Sequence, residues 1–166
     1  RRTDHELTLS RLSNLGAFKF VTVRFTPETD NRLKARIFLT PQLKKSLRVE
    51  AQMTSKSNNF VGPAITGTFI NRNFLRGAEL FQWQLHTSYE IQANARQAGP
   101  VFAFEAGTEA SLTLPRLVTP VRVRYGSLRF MPQTTMKLGV LLQNRVGFFQ
   151  INSFNASYGY LWRETQ

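Results

Sequence analysis

The longest alternating stretch of the chain runs from Leu80 to Ile91, where apolar and polar side chains succeed one another. One side of this stretch carries Phe81, Trp83, Leu85, Thr87, Tyr89 and Ile91. Because successive strand side chains point to opposite faces, whereas an amphipathic helix needs apolar residues three and four apart, the pattern predicts a β-strand. Globular strands are typically about 5–6 residues long, and tilted membrane-crossing strands about 9–11. The length, and the aromatic residues near the ends, therefore favour a membrane-crossing strand.

Five further segments alternate in the same way, and polar turn residues separate most of them. Glu105 and Glu109 share one face of their segment, and a charge that faced lipid at the midplane would cost up to about 2–4 kcal/mol. That face is therefore expected to line a wet interior. Pro63 is expected at a bulge or near a strand end, because it cannot donate to the ladder. The five segments are Leu47 to Thr54, Val61 to Phe69, Phe102 to Leu114, Met136 to Gln143 and Ser153 to Trp162.

The beginning of the chain has a different pattern. Leucines at helical spacing predict a helix from Thr3 to Asn14, which Gly16 ends. Two alternating segments follow, Phe18 to Phe25 and Arg32 to Pro41, and they predict a hairpin. One helix on two strands is too little to fold alone. We therefore expect this unit to be the end of a small α+β domain whose beginning precedes the sequence.

Composition narrows the class without deciding it. The mean hydropathy is -0.27 and 42% of the residues are hydrophobic. The chain lacks an apolar run near the roughly 20 residues of a membrane helix, which excludes a helical membrane protein. A β-barrel stays compatible, since only every second strand residue meets lipid. A soluble β-sandwich or small closed barrel would alternate as well, but its strands are usually shorter.

The strongly basic charge of +12 is typical of proteins that bind nucleic acids or anionic surfaces. The Lys and Arg residues, however, are not gathered on one helix or in one tail, and the aromatic residues alternate with polar ones instead of forming a base-stacking motif. We therefore expect no nucleic-acid partner. Solvated turns and a polar lumen explain the charge more simply than a specific anion site.

The sequence contains few residues or motifs that are typical of an enzyme active site. His5 and His86 are the two histidines, there is no Cys, and none of the common hydrolase, zinc or phosphate-loop motifs occurs. Glu105 and Glu109 lie about 13 Å apart along a strand, which is too far for a cooperating carboxylate pair. We expect no catalytic residues, no metal site and no cofactor, and we interpret His86 as a lumen-facing polar residue instead of a metal ligand.

Several stretches resemble one known family. RLSNLGAFKFVTVRF with LKARIFLTP is similar to the end of the last POTRA domain of the BamA/TamA outer-membrane assembly factors. NRNFLRGAELFQWQLHTSYEIQ resembles the turn between the second and third barrel strands of that family, and MPQTTMKLGVLLQNRVGFFQ with SYGYLW resembles its fifth and sixth strands. The sequence from Asn71 to Glu79 most resembles that of the Bacteroidetes members of this family, including the TamL branch. The resemblance covers nearly the whole chain.

The resemblance implies a fold and a location. Residues 1–41 would be the C-terminal part of a periplasmic POTRA domain, which is a small α+β domain. Residues 42–166 would be the first six strands of an all-β, antiparallel, transmembrane β-barrel in the outer membrane. Six strands are fewer than the about eight of the smallest lipid-embedded barrels, so either the barrel continues beyond Gln166 or the sheet is not a barrel.

The resemblance also implies a function. Such a protein folds and inserts β-barrel proteins, or exports surface proteins, through an open edge at its first barrel strand. Its partners would be unfolded outer-membrane proteins, outer-membrane lipid, and periplasmic or envelope-spanning assembly partners. An ordinary first strand is the alternative at this edge, and a passive pore or adhesion barrel with the N-terminal unit as a plug is the alternative function. The expected pairing edge, or lateral gate, comprises Ser46, Leu47, Arg48, Val49, Glu50, Ala51, Gln52 and Met53.

A basic connection follows the fourth barrel segment. If the N-terminal unit is periplasmic, the count of strands places this connection on the periplasmic side too. Acidic clients, an acidic partner or phospholipid headgroups could contact it there, although solvated turn residues are the simpler interpretation. Its cations are Arg116, Arg122, Arg124 and Arg129.

Overall fold

The computed structural model describes residues 2–28, 32–57, 59–92, 101–119 and 132–161. In this part of the chain, one helix and two antiparallel sheets succeed one another. The described helix is not long and apolar enough to cross a membrane. The elements are α1 (Arg2–Asn14), β1 (Phe18–Glu28), β2 (Arg32–Pro41), β3 (Lys45–Ser55), β4 (Phe60–Asn71), β5 (Leu80–Gln92), β6 (Phe102–Leu114), β7 (Gln133–Arg145) and β8 (Phe149–Leu161).

Helix α1 ends as the sequence predicts. The Leu15 N–H donates to the carbonyl oxygen of Arg11, and the Gly16 N–H donates to that of Ser13, both over 3.3 Å. Gly16 has φ +65°, a left-handed conformation that glycine adopts without a steric cost and that commonly ends helices. The helix packs on β1. The prediction of a helix up to Asn14 is confirmed, and its start lies one residue before the expected Thr3.

Strands β1 and β2 form a two-stranded antiparallel sheet with one irregularity. The alternation alone leaves open whether Phe20 or Val21 continues the apolar face that begins at Phe18. The register shifts between Phe18 and Phe20, so that Val21 pairs with Leu39 and lies on the face of Phe18. A bulge of this kind inserts one extra residue and reverses the alternation that follows.

Strands β3 to β8 form one six-stranded antiparallel sheet in which each strand pairs with its neighbours in sequence. All six predicted strands are confirmed within the described residues; Trp162, the expected end of the last strand, lies outside them. Most extend beyond the predicted bounds, because backbone pairing continues where the side-chain alternation stops. The largest difference is in β8, which begins at Phe149 instead of Ser153. Phe149 and Ile151 lie opposite Arg145 and Gln143 on the polar face, which interrupts the alternation in the sequence.

The sheet is one layer thick and has two distinct faces. The apolar face carries large side chains that are well exposed, such as Ile65, Leu85 and Phe154. On the opposite, polar face, Ser88 and Glu90 are buried. In the described residues the sheet does not close on itself, and β3 and β8 are its edges.

Gly62 and Pro63 lie near the beginning of β4, where they interrupt the pairing with β5. The register is the same on both sides of the interruption, with Val61 opposite Ile91 and Ala64 opposite Ser88. Pro63 thus lies near a strand end, one of the two positions expected for it, and introduces no bulge. A Cβ on Gly62 would overlap the backbone carbonyl of Tyr89. The two strands can therefore approach so closely only with a glycine at this position.

We predict that Gly62→Ala destabilises the sheet by about 1–3 kcal/mol, because the added methyl group would overlap backbone atoms that cannot move aside easily. Gly67→Ala is the matched control on the same strand, where an added Cβ has no neighbour within 4 Å. The free energy of unfolding, from urea titration, measures the effect. Equal stability of the two variants would show that the close approach of β4 and β5 is not required.

Candidate functional site at an open strand edge

The predicted gate residues lie on β3, at one edge of the six-stranded sheet. Strand β3 pairs along its whole length with β4, from Lys45 opposite Asn71 to Ser55 opposite Val61. Its other side has no strand partner within the described residues. An edge of this kind presents unpaired backbone N–H and C=O groups that can pair with another strand.

The side chains of β3 leave this edge accessible. Leu47, Val49 and Met53 lie on the apolar face and are 73%, 67% and 72% exposed. Arg48 and Glu50 form an ion pair on the polar face, and both side chains are largely exposed. Exposed ion pairs typically contribute at most about 1 kcal/mol. The edge is therefore defined by its backbone groups more than by any one side chain.

A network of polar side chains crosses the polar face from β4 to β7. The His86 ring shares a hydrogen bond with the Thr66 hydroxyl over 3.0 Å through Nδ1, and its Nε2 lies 3.7 Å from Glu105 Oε1. The Gln143 amide donates to the other oxygen of Glu105 over 2.8 Å. These contacts connect β4, β5, β6 and β7. Glu105, and Glu109 with its Lys137 contact at 3.8 Å, lie on the polar face as the sequence predicts.

At the end of the sheet remote from α1, the described basic side chains have partners. Lys56 lies in the turn after β3, and its ammonium group donates to Glu90 Oε2 over 2.8 Å. Glu90 is 4% exposed, so the pair offsets the cost of burying its charge. The Arg145 guanidinium lies 4.8 Å from the ring centre of Phe60 and 5.2 Å from that of Phe149.

At the other end, the turn between β4 and β5 is held by its own polar side chains. Asn71 Oδ1 accepts from the Asn73 N–H over 3.2 Å, and Asn73 Oδ1 accepts from the Ala78 N–H over 3.1 Å. Glu79 is 5% exposed, and its Oε2 accepts from the Leu75 and Gly77 N–H groups over 3.1 and 2.9 Å. The buried carboxylate thus replaces water as the partner of turn N–H groups.

The environment of Glu79 favours its charged form. Burial acts to raise its pKa, but the N–H groups of Gly77, Glu79 and Leu75 and the positive charge of Arg116 act in the opposite direction. The net pKa lies below the ordinary value of 4.5. Arg116 follows β6, so its charge couples the start of the basic connection to the turn between β4 and β5.

This turn also holds the base of the edge strand. The Arg72 N–H donates to the carbonyl of Lys44 over 2.7 Å. The Arg72 guanidinium donates to the carbonyl of Leu43 and to the hydroxyl of Ser46, both over 3.3 Å. Ser46 is the first of the predicted gate residues. The turn and the start of β3 therefore form one hydrogen-bonded unit.

The first residues of the basic connection pack back onto the sheet. Thr134 is 0% exposed; its hydroxyl donates to the carbonyl of Arg116 and accepts from the Val118 N–H, both over 2.9 Å. The Tyr158 hydroxyl donates to the carbonyl of Val118. Arg116 is exposed and lies at the same end as the turn. The other three predicted cations, Arg122, Arg124 and Arg129, lie outside the described residues.

Sequence reasoning missed the functions of Glu79, Thr134 and Lys56 in these contacts. The NRNFLRGAE stretch carried a usable signal, since an acidic residue after a Gly-containing turn is a common acceptor of turn N–H groups. The sequence around Thr134 and Lys56 gives no such signal, because their hydrogen-bond partners are 16 to 34 residues away in the chain. In the described residues no group of three metal-ligating side chains occurs.

We predict that Glu79→Gln lowers the free energy of unfolding at neutral pH by about 1–3 kcal/mol, since the charged acceptor of the turn N–H groups is lost. In the parent protein, the stabilisation by Glu79 is complete above its unfolded pKa and declines as pH falls through its lowered folded pKa. Urea titrations from neutral pH to below 4.5 should show a larger decline in the parent than in Glu79→Gln, and the difference between the two is the contribution of Glu79.

Glu50→Gln is the control for this measurement, because Glu50 is an exposed acid with a single ion-pair partner. Its free energy of unfolding should stay within about 1 kcal/mol of the parent. An identical pH dependence in Glu79→Gln and the parent would show that the turn carboxylate does not contribute to stability.

Comparisons with protein-family models, with curated proteins and with solved structures found no match for this chain. The resemblance to the BamA/TamA family therefore depends on the residues quoted for it. What that resemblance implies for the open edge is a proposal.

Proposed function

We propose that this chain is the wall segment and adjoining periplasmic module of an outer-membrane β-barrel assembly factor of the BamA/TamA type. In this proposal, β3 to β8 are the first six strands of the barrel, and α1, β1 and β2 end a POTRA domain. The open edge of β3 pairs with strands of client proteins and directs their insertion, or the export of surface proteins. Its partners are unfolded outer-membrane proteins, outer-membrane lipid and periplasmic assembly proteins.

The exposure of the apolar face is the observation that carries the membrane part of the proposal. In water, an exposed apolar face that extends over six strands would promote aggregation. Phe154 is 81% exposed, while Glu90 on the opposite face is 4% exposed. A soluble sheet usually exposes its polar face, so well-exposed apolar side chains on the opposite face support a barrel wall with lipid outside and a polar lumen.

Polar groups on the apolar face support a lipid environment as well. The Trp83 indole N–H donates to the Thr108 hydroxyl over 2.8 Å, and that hydroxyl donates to the carbonyl of Gln84 over 3.2 Å. In hydrocarbon, an unsatisfied polar group costs several kcal/mol, so polar side chains there must bond to each other or to backbone.

The open edge carries the assembly part of the proposal. Backbone groups in lipid must be paired, so an edge strand in a membrane wall requires a partner strand. A weakly paired or exchangeable partner makes that edge a template for an incoming strand, which would gain a full row of backbone hydrogen bonds. Because this recognition uses the backbone, one edge could accept many client sequences.

The position of the N-terminal module favours an assembly factor over a plugged pore. The module is joined to the sheet by the short segment between β2 and β3, and the Gln42 N–H at the start of this segment donates back to the carbonyl of Ala17 over 2.9 Å, beside the β1–β2 hairpin. The helix packs on β1, and α1, β1 and β2 make no extensive contact with β3 to β8 in the described residues. A plug would instead have to cover the polar face, where the His86 network lies.

We predict that Arg48→Ala and Glu50→Ala leave client assembly nearly unchanged, whereas Val49→Pro abolishes it. Alanine keeps the backbone N–H and C=O groups of the edge, and proline removes a donor and restricts the backbone. The amount of folded client protein in the outer membrane of cells that depend on each variant measures the effect. Equal tolerance of proline and alanine would contradict pairing through the backbone.

Photo-crosslinking keeps this test informative if Val49→Pro fails to reach the membrane. A photoreactive side chain at Leu47, on the edge strand, should crosslink to client chains. The same group at Phe154, which is on the same face but on β8, should crosslink to lipid. Client crosslinks at both positions, or at neither, would show that β3 is not the pairing strand.

We predict a defined orientation of the sheet in the cell. A cysteine at Phe148, in the turn between β7 and β8, should react with an impermeant thiol reagent on intact cells. A cysteine at Leu43, beside the N-terminal module, should react only after the outer membrane is opened. Both side chains are well exposed, at 69% and 78%, so accessibility within the protein does not limit the reaction. Labelling of Leu43→Cys on intact cells would reverse the proposed orientation of every strand.

A further inference from the structure

The turn between β4 and β5 continues the apolar face beyond the end of the strands. The Phe74 ring stacks on the Phe81 ring, with 4.6 Å between the ring centres and 20° between the planes. Phe81 pairs with Leu112 on the apolar face of the sheet. Leu75 follows and is 57% exposed. An aromatic and an aliphatic side chain are thus held at the rim of the exposed face.

The backbone of this turn is fixed in a conformation that presents these side chains. Arg76 and Ala78 have φ values of +70° and +61°. Residues other than glycine rarely adopt this left-handed backbone conformation. The Glu79 carboxylate and Asn73 hold the segment in place through the N–H groups of Leu75, Gly77 and Ala78. Holding such conformations costs of order 1–3 kcal/mol each, so the surrounding hydrogen bonds must favour this presentation.

Positive charge accompanies the apolar rim. Arg76 is exposed directly beside Leu75, and Lys44 and Arg116 are exposed at the same end of the sheet. The acid of the turn, Glu79, is buried and engaged by N–H groups, so its charge is directed away from solvent. The remote end of the sheet differs, because Lys56 is paired with an acid there.

We propose that Phe74, Leu75 and Arg76 form an interfacial anchor that binds phospholipid on the leaflet facing the N-terminal module. Phe74 and Leu75 enter the boundary between headgroups and acyl chains, and the Arg76 guanidinium binds a lipid phosphate. An aromatic side chain and a cation at the end of a lipid-facing strand match the chemistry of that boundary. Continuity with the apolar face favours lipid over a protein partner, which would need a complementary surface of its own.

The anchor acts on the proposed gate through Arg72. Arg72 begins the turn and donates to Leu43, Lys44 and Ser46 at the base of β3. A turn that is fixed at the membrane surface therefore fixes the height of the edge strand relative to lipid. This inference rests on the proposed membrane location, and it adds lipid as the ligand that positions the pairing edge.

The test uses the full-length protein in phosphatidylcholine vesicles that contain phosphatidylglycerol, with one environment-sensitive fluorophore on an introduced cysteine. The present sequence contains no Cys of its own. Leu75→Cys reports on the turn, Phe154→Cys on the middle of the apolar face and Phe20→Cys on the N-terminal module. All three positions are exposed. Lipids with a paramagnetic quencher on the headgroup or in mid-chain measure the depth of each label.

The Leu75 label should show blue-shifted emission and be quenched mainly from the headgroup. The Phe154 label should be quenched from mid-chain, and the Phe20 label by neither lipid. If the Leu75 label behaves like the Phe20 label while the Phe154 label is quenched, the anchor is wrong and the membrane sheet stands. If the Phe154 label is not quenched, both the anchor and the proposed membrane location are wrong.

Arg76→Gln tests the phosphate contact separately. In the Leu75→Cys background, it should lower energy transfer from the label to a fluorescent phosphatidylglycerol, because the loss of one cation near an anionic surface lowers the affinity for an anionic lipid by about fivefold. Lys19→Gln removes the same charge from the N-terminal module and should leave the transfer unchanged. Equal transfer in Arg76→Gln and its parent would show that this arginine does not bind the headgroup.

Discussion

Backbone pairing between neighbouring strands is the interaction on which this structure depends. The described part of the sheet is one layer thick, and its large apolar side chains face outward instead of packing into a core. The antiparallel ladder therefore holds β3 to β8 together, and the surroundings must cover the apolar face. The closeness of β4 and β5 at Gly62 shows how strictly the backbone controls this arrangement.

The charged residues at the two ends of the sheet have different kinds of partner. At the remote end, Lys56 neutralises the buried Glu90, and Arg145 lies against aromatic rings. At the end beside the N-terminal module, a buried carboxylate organises the turn while the neighbouring cations stay exposed. Each end therefore has a buried acid, but at one end it bonds to a lysine and at the other to the N–H groups of a turn.

Hydrogen bonds join the open edge of β3 to the turn between β4 and β5. Arg72 bonds the turn to the base of β3, so whatever holds the turn also positions the backbone groups of the edge. Strand exchange at an edge needs a fixed register on one side and a replaceable partner on the other. The full ladder between β3 and β4 supplies the fixed side.

The sequence by itself determined where the strands lie and most of their two faces, because a period of two residues identifies an extended chain and the face of each side chain. It placed Glu105, Glu109 and His86 correctly on the polar face, and it ended α1 at Gly16. Only the tertiary structure showed the Thr134 and Lys56 contacts, the bulge after Phe18 and the buried carboxylate of Glu79. Such features depend on which segments meet in space, and a local pattern does not encode the distance between residues far apart in the chain.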